Sequence, residues 1–171
     1  MTQPTVEEFE NQAAEWLGEH AGSSPNIDPA GGTAWGEGDF SVSVFHALTF
    51  EEEQGLLLEL QRWNQQKAEV GYHAVEWPEE FGGMGLSRAH ARAFGRLERK
   101  FKLPPGHETF SVTTGLIAPT MNVFGSPDQK QQFIGDLLAT RILCCQLFSE
   151  PGAGSDLASL ACKAELDGDE W

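Results

Sequence analysis

The sequence predicts a mainly α-helical domain over residues 1–140 followed by the first strands of a β domain over residues 141–171, and three observations carry that expectation. Thr5 with Glu8 and Thr49 with Glu52 have the spacing of capping boxes, each ahead of an apolar repeat of helical period. Ser126 followed by Pro127 is a further helix start, because proline at the first helical position gives up no hydrogen bond. After Arg141 the period changes: "RILCCQLF" is an apolar run of strand length, and "LACKAEL" alternates as a half-buried strand does.

The first helix is predicted over 6–20, where Phe9, Ala13, Trp16, Leu17 and His20 share a face and His20 reads as a helix-end residue. From Ala21 to Ala47 the composition turns to Gly, Ser and Pro, with Gly31, Gly32, Gly36 and Gly38 around Trp35, which describes a long surface connection. Inside it "FSVSVF" alternates as a short extended segment would. The second helix runs through Leu56, Leu60, Trp63, Lys67 and Val70, and Gly71 can close it. Ser87 caps a third, to about Phe101. Pro104, Pro105 and Gly106 then break the chain before a fourth, Glu108 to Phe124, which Pro119 kinks or splits. Gly125 ends that stretch, and the Ser126 helix carries Asp128 to about Ala139.

A chain of 171 residues, 40% of them hydrophobic, supports one ordinary domain with a real core. The formal charge of -15, from 26 acidic against 11 basic residues, works against nucleic acid and anionic membrane surfaces, and no local basic patch is apparent. The start "MTQPTVEEFE" lacks the features of a secretory signal or a transit peptide, and "LLLEL", the longest aliphatic run, is too short to span a bilayer, so a cytoplasmic location is expected. Cys144, Cys145 and Cys162 form neither an even disulfide set nor a metal-ligand spacing. They read as small buried apolar residues, and no metal site is expected.

The stretch "CQLFSEPGAGSDLAS", residues 145–159, concentrates the candidate chemistry. Backbone N–H groups of Gly152, Ala153, Gly154 and Ser155 can turn inward together, giving a concave donor cluster suited to a phosphate or pyrophosphate, with the Ser155 hydroxyl as a further donor. The run is neither a Walker A loop nor a dinucleotide fingerprint, since Leu157 stands where Gly or Ala is needed, and it contains no G-x-S-x-G elbow. A Pro-Gly turn between two strands equally needs no ligand, so spacing alone leaves both readings open.

The wider pattern decides. "LFSEPGAGSDLASLACKAELDGDEW" resembles the flavin-binding segment of the acyl-CoA dehydrogenases, the loop that opens their middle β domain. "WPEEFGGMGLS", residues 77–87, is similar to the family's turn between N-terminal helices, and "APTMNVFGSPDQKQQFIGDLL" to the helix pair ahead of the flavin strand. Together these cover most of residues 49–171, whereas residues 1–47 match only loosely.

The resemblance implies the N-terminal helical domain of that family and the beginning of its β domain, with FAD as cofactor. It implies that Gln146, Phe148 and Ser149 face the flavin ring and its attached chain, and that Gly154 and Ser155 contact the phosphates. Ser155 then also borders the acyl-CoA substrate. The helix ahead of the flavin strand lines the acyl pocket, where Ser111, Thr114, Gly115 and Ala118 stand at i, i+3, i+4 and i+7; Ser111 and Gly115 are the substrate-side candidates, their small side chains leaving a deep or wide pocket or else permitting close helix packing. Glu150 is expected to cap or orient the loop, Asp156 to accept a local backbone N–H, and Trp77 and Phe81 to anchor a tight turn.

In the family a carboxylate removes the α-proton of an acyl thioester while the β-hydride passes to flavin. That base comes from a C-terminal helical domain and is expected beyond Trp171, so no catalytic residue is assigned within the chain and the isolated chain is expected to be inactive. An electron-transfer flavoprotein as acceptor and a homo-oligomer are further implications. A family variant such as an acyl-CoA oxidase or hydroxylase, and a non-catalytic helical module acting through binding or dimerisation, stand as alternatives.

Overall fold

The computed structural model describes residues 3–21 and 48–169. The Gly-rich connection and its "FSVSVF" run lie outside these residues, apart from Ala21. Helix α1 spans Val6–His20 and α2 spans Phe50–Glu69, and both open with the capping boxes read from sequence: Thr5 and Thr49 accept from the N–H of Glu8 and Glu52, whose carboxylates reach back to the cap. These bonds hold the Glu8 and Glu52 carboxyls below their usual pKa. His20 ends α1, with Nδ1 donating to the Trp16 carbonyl oxygen at 2.8 Å.

Gly71 closes α2 in the left-handed region, at φ 83°, and two 3-10 turns follow, Tyr72–Ala74 and Glu79–Phe81. The chain from Ala74 to Leu86 folds on itself through bonds from Met84 to Ala74, Gly85 to Trp77 and Leu86 to Val75. At its centre Gly83 leaves no room for a side chain: a Cβ there would stand 2.0 Å from the Trp77 carbonyl oxygen. Trp77 and Phe81 meet edge to face and pack against the second core cluster as partly buried anchors.

Helix α3, Arg88–Glu98, runs parallel to α1, since the Pro4 carbonyl accepts from His90 Nε2 at 3.0 Å and Glu10 pairs with Arg96 at the same sequence offset. With Nε2 donating, His90 Nδ1 accepts from the Ser87 hydroxyl, which is why Ser87 sits at the N-cap without capping a backbone N–H. Phe9, Ala13, Leu17, Trp63, Tyr72, Ala93 and Phe94 form the first core cluster. Trp63 Nε1 and Lys67 Nζ both reach Glu98, joining α2 to α3.

The fourth helical stretch is split. One turn of α4, Glu108–Phe110, passes into a π-helix, Ser111–Ile117, and then α5, Ala118–Phe124. Pro119 has no N–H to donate, and in the turn ahead of it the Ala118 N–H reaches back five residues to Thr113. Gly125 and the Ser126 capping box lead into α6, Pro127–Leu138. Ala74, Ala118, Ile134, Leu137 and Leu138 form the second core cluster.

Helix α6 ends in a Schellman motif with Thr140 in the left-handed position, φ 53°, its N–H bonded to Leu137 and that of Arg141 to Asp136. The strain at a β-branched residue is offset by burial and by α2, whose Gln61 and Asn64 donate to the Thr140 and Leu138 carbonyls.

Three expectations change. The predicted strands do not form among the described residues: the β region shows isolated bridge positions, Glu150 pairing antiparallel with Ala153, because extended backbone becomes a strand only with a neighbour along its edge. Cys145 and Cys162 are exposed and Cys144 is partly buried, since the segment carrying them packs little. A basic stripe does exist, on α3, and lines a groove with Arg88, Arg92, Arg96 and Arg99.

Candidate cofactor and substrate site

The segment after α6 is fastened to the π-helix at one point. Thr113, fully buried, donates its hydroxyl to the Thr109 carbonyl at 2.7 Å and accepts the Cys144 N–H at 2.9 Å. The chain that carries Gln146, Phe148 and Ser149 therefore starts beside the helix that carries Ser111 and Gly115.

Beyond Cys144 the segment opens to solvent. Gln146 and Ser149 are exposed, Leu147 is 88% exposed and Phe148 60%. Exposed apolar side chains in sequence form a surface suited to a flat apolar partner.

The Glu150–Ala153 turn is closed by two bonds, Glu150 N–H to the Ala153 carbonyl at 2.9 Å and Ala153 N–H to the Glu150 carbonyl at 3.1 Å. This corrects the four-donor cluster expected from sequence, because the Ala153 N–H is consumed inside the turn and the buried Ala153 side chain fixes it there. No hydrogen bond among the described residues takes the N–H groups of Gly152, Gly154 or Ser155, and a Cβ at Gly152 or Gly154 would meet nothing within 4 Å. The donors stay available in open space.

Glu150 orients the loop: its two carboxylate oxygens accept from the N–H groups of Ala161 and Cys162 at 2.9 and 2.8 Å, tying the two ends together. Asp156 accepts from the Ser159 hydroxyl and opens the 3-10 turn Leu157–Ser159. Both carboxylates are engaged locally, but the Asp156 carboxylate takes a hydroxyl where a backbone N–H was expected.

The small-residue face on the π-helix is divided by the wider turn. Ala118 rotates into the core at 0% exposure, and Thr114 returns its hydroxyl to the Phe110 carbonyl, while Ser111 and Gly115 remain exposed. Around Gly115 a Cβ would again find nothing within 4 Å. No hydrogen bond among the described residues joins Ser111 or Gly115 to Ser149, Gly154 or Ser155.

Sequence reasoning missed Thr113, whose hydroxyl is the fastening point, and only its place among small residues near a proline hinted at a special turn. It also missed His73, in a cleft of about 280 Å³ with Lys67, Tyr72 and Trp77. His73 Nδ1 is buried without a partner, and burial, helped by the Lys67 and Arg141 charges, pushes the ring down to about 4. A lone histidine in a turn carries no signal of this in sequence.

Residues 45–141 match the acyl-CoA dehydrogenase N-terminal domain family. The chain is 38% identical to the acyl-CoA dehydrogenase IpdE1 of Mycobacterium tuberculosis over 97% of its own length and 38% of that protein's. It is 33% identical to the IpdE1 of Mycolicibacterium smegmatis over 96% of its own length and 37% of the relative's. It therefore spans under two fifths of these relatives. Among solved structures, it superposes on a chain of the ChsE4–ChsE5 complex from Mycobacterium tuberculosis with a TM-score of 0.56 at 24% identity, covering 99% of this chain and 36% of that one. On the Tcur3481–Tcur3483 steroid ACAD the TM-score is 0.53 at 21% identity, covering 98% and 38%. Both likenesses concern the fold. With the family's N-terminal domain matched over more than half of its residues, the chain belongs to the acyl-CoA dehydrogenase family.

Proposed function

We propose that the chain serves as the N-terminal portion of an FAD-dependent acyl-CoA dehydrogenase acting on bulky acyl-CoA thioesters. The observation that supports the cofactor is the run of unengaged donors at Gly152, Gly154 and Ser155 behind the exposed Leu147–Phe148 surface, in a chain of this family. FAD, when bound, supplies the acceptor for the hydride that leaves the substrate's β-carbon as the 2,3-enoyl-CoA forms.

The chain's own residues bind and orient. Gly154 and Ser155 hold the phosphates, and Gln146 and Phe148 lie along the flavin ring. The Ser149 hydroxyl would be a donor on the flavin side, suited to a group that carries negative charge. Ser155 borders the thioester, and Ser111 and Gly115 line the acyl pocket. The base that takes the α-proton is assigned to no residue of this chain.

The breadth of the substrate rests on Ser111 and Gly115, whose surroundings are open, and accords with the chain's likeness in fold to a steroid ACAD. Assembly with further subunits and electron transfer to an electron-transfer flavoprotein complete the proposal. No helix among the described residues is long and apolar enough to cross a membrane.

The product of the complete reading frame should release FAD on acid precipitation and reduce an artificial dye with acyl-CoA. Gly154→Val, whose branched side chain crowds the phosphate donors, should lower flavin occupancy severely. Gly115→Phe should depress turnover of a polycyclic acyl-CoA far more than that of butyryl-CoA. Full flavin occupancy in Gly154→Val would overturn the phosphate assignment, and equal losses on the two substrates would overturn the pocket.

A further inference from the structure

Helix α3 breaks two rules of helix electrostatics at once. Its first residue is Arg88, a cation where the helix N-terminus favours an anion, and no acidic residue stands in its first turn. Arg88, Arg92 and Arg96 then follow at four-residue spacing, so each neighbouring pair is a like-charge pair that works against the helix, and Arg99 continues the row. Four of the chain's 11 basic residues are thus set on one face, opposite the buried His90, Ala93 and Phe94, in a chain of net charge -15. Arg96 is tied to Glu10 at 2.8 Å, but no ion pair among the described residues engages Arg88, Arg92 or Arg99. Local rules broken without a compensating contact mark a site that serves something outside the fold.

The groove beside the stripe has a volume of about 470 Å³ and is lined also by Ala91, Gly95 and Glu76. We propose that this face docks an acidic helix of a partner protein. The row extends about 16 Å along α3, at 1.5 Å per residue, which suits a row of carboxylates and exceeds one phosphate group. Ala91 and Gly95 present no bulk, so a second helix can lie close.

The chain already contains one example of the arrangement. Helix α1 lies parallel to α3 and offers Glu10 to Arg96, a single rung of the ladder that a partner would complete with Arg88, Arg92 and Arg99. Guanidinium groups, planar and forked, bind carboxylates in pairs, which gives register as well as attraction. The net negative charge elsewhere on the chain repels an acidic partner from other faces and directs it to this one. The groove borders the first core cluster through Ala91 and shares no residue with those assigned to the flavin or the acyl-CoA, so the inference stands apart from the proposed flavin chemistry.

The probe is a fluorescent alanine-based helical peptide carrying glutamates at i, i+4, i+8 and i+11, with a glutamine counterpart, followed by anisotropy with the whole chain. Binding of the glutamate peptide should weaken as salt rises from about 50 to 200 mM. The variant R88E/R92E/R99E should weaken it at least about tenfold. The milder R88Q/R92Q/R99Q should fall between that variant and the parent. A charge-matched control, K100E/K102E/K130E, should stay within about twofold. Circular dichroism checks that each variant keeps its helix content.

Equal binding of the glutamine peptide would overturn the proposal, as would unchanged affinity in both arginine variants. Full competition by inorganic phosphate at equal charge would assign the stripe to a small anion instead. A dimer of the chain alone that the arginine reversal dissolves would assign it to a second copy. Either result removes the partner helix.

Discussion

Residues 48–140 and residues 141–169 belong to one chain and are held by opposite means. The first region buries Leu56, Ala118 and Ile134 completely and closes its turns by bonds across many residues, from the Leu86 N–H to the Val75 carbonyl and from the Gln61 side-chain amide to the Thr140 carbonyl. In the second, Ala153 alone among the described residues is buried, and beyond the Arg141 and Ile142 bonds to Asp136 and the Thr113–Cys144 bond, the hydrogen bonds among the described residues stay inside the loop. The first region gathers most of its large side chains into two packed clusters, leaving the arginine face of α3 and the His73 Nδ1 as its exceptions. The second leaves donors and hydrophobic side chains for something else, and that difference is where a binding function can reside.

Glycine substitution should break the contrast most sharply. Gly83→Val places a Cβ against the carbonyls of Trp77 and Ala74, at 2.0 and 2.6 Å, and backbone cannot step aside as a side chain can. The expected loss is about 4 kcal/mol or more, enough to leave the chain largely unfolded. Gly154→Ala, with open space around it, should change stability by no more than about 1 kcal/mol. Urea denaturation followed by tryptophan fluorescence measures both. Similar losses at the two positions would mean that the loop is packed as tightly as the turn.

A second pair compares side chains. Ile134→Ala removes a fully buried group from the second core cluster and should cost about 3 kcal/mol. Leu147→Ala, at 88% exposure, should stay within about 0.5 kcal/mol.

The same division explains what was legible in the sequence. Helices announce themselves locally, and the capping boxes at Thr5, Thr49 and Ser126 needed only residues three apart. Pro119 announced a break, but whether a kink or a π turn follows depends on how the chain regains its hydrogen bonds, and this decided which of Ser111, Gly115 and Ala118 face outward. Strands announce only half of themselves: "RILCCQLF" and "LACKAEL" have the right periods, yet pairing depends on a neighbour that period does not specify. The arginine spacing on α3 was there to read, hidden by a net charge of the opposite sign. Which donors the loop spends on itself was not legible in the sequence, since the loss of the Ala153 N–H to its own turn emerges only in three dimensions.

His73 offers a pH test confined to the helical region. Its folded pKa is pushed down to about 4 from an ordinary 6.5, so the unfolded chain takes up a proton in this range that the folded chain refuses. The unfolded state then binds more protons, and stability must fall as the pH drops from about 6.5 toward 4, with no contribution from this group above that window. His73→Gln removes the titration. The stability of the parent relative to this variant should decline over that interval in denaturant titrations, and a constant difference would contradict the buried, neutral ring.

The most local effect is expected where the loop is tied to itself. Glu150 accepts two backbone N–H groups, from Ala161 and Cys162, across a gap of 11 and 12 residues, and both partners are exposed. Exposed charge-assisted bonds of this kind compete with water, so Glu150→Ala should shift global stability by no more than about 1 kcal/mol. Its effect should be local: the Ala161 and Cys162 amides, once released, should exchange hydrogen faster, while those of α6 keep their protection. Glu150→Gln retains one carbonyl acceptor and should fall between the two. If protection in α6 fell together with that at Ala161 and Cys162, loop and helices would unfold as one unit, and the division between a packed helical region and an open binding segment would have to be abandoned.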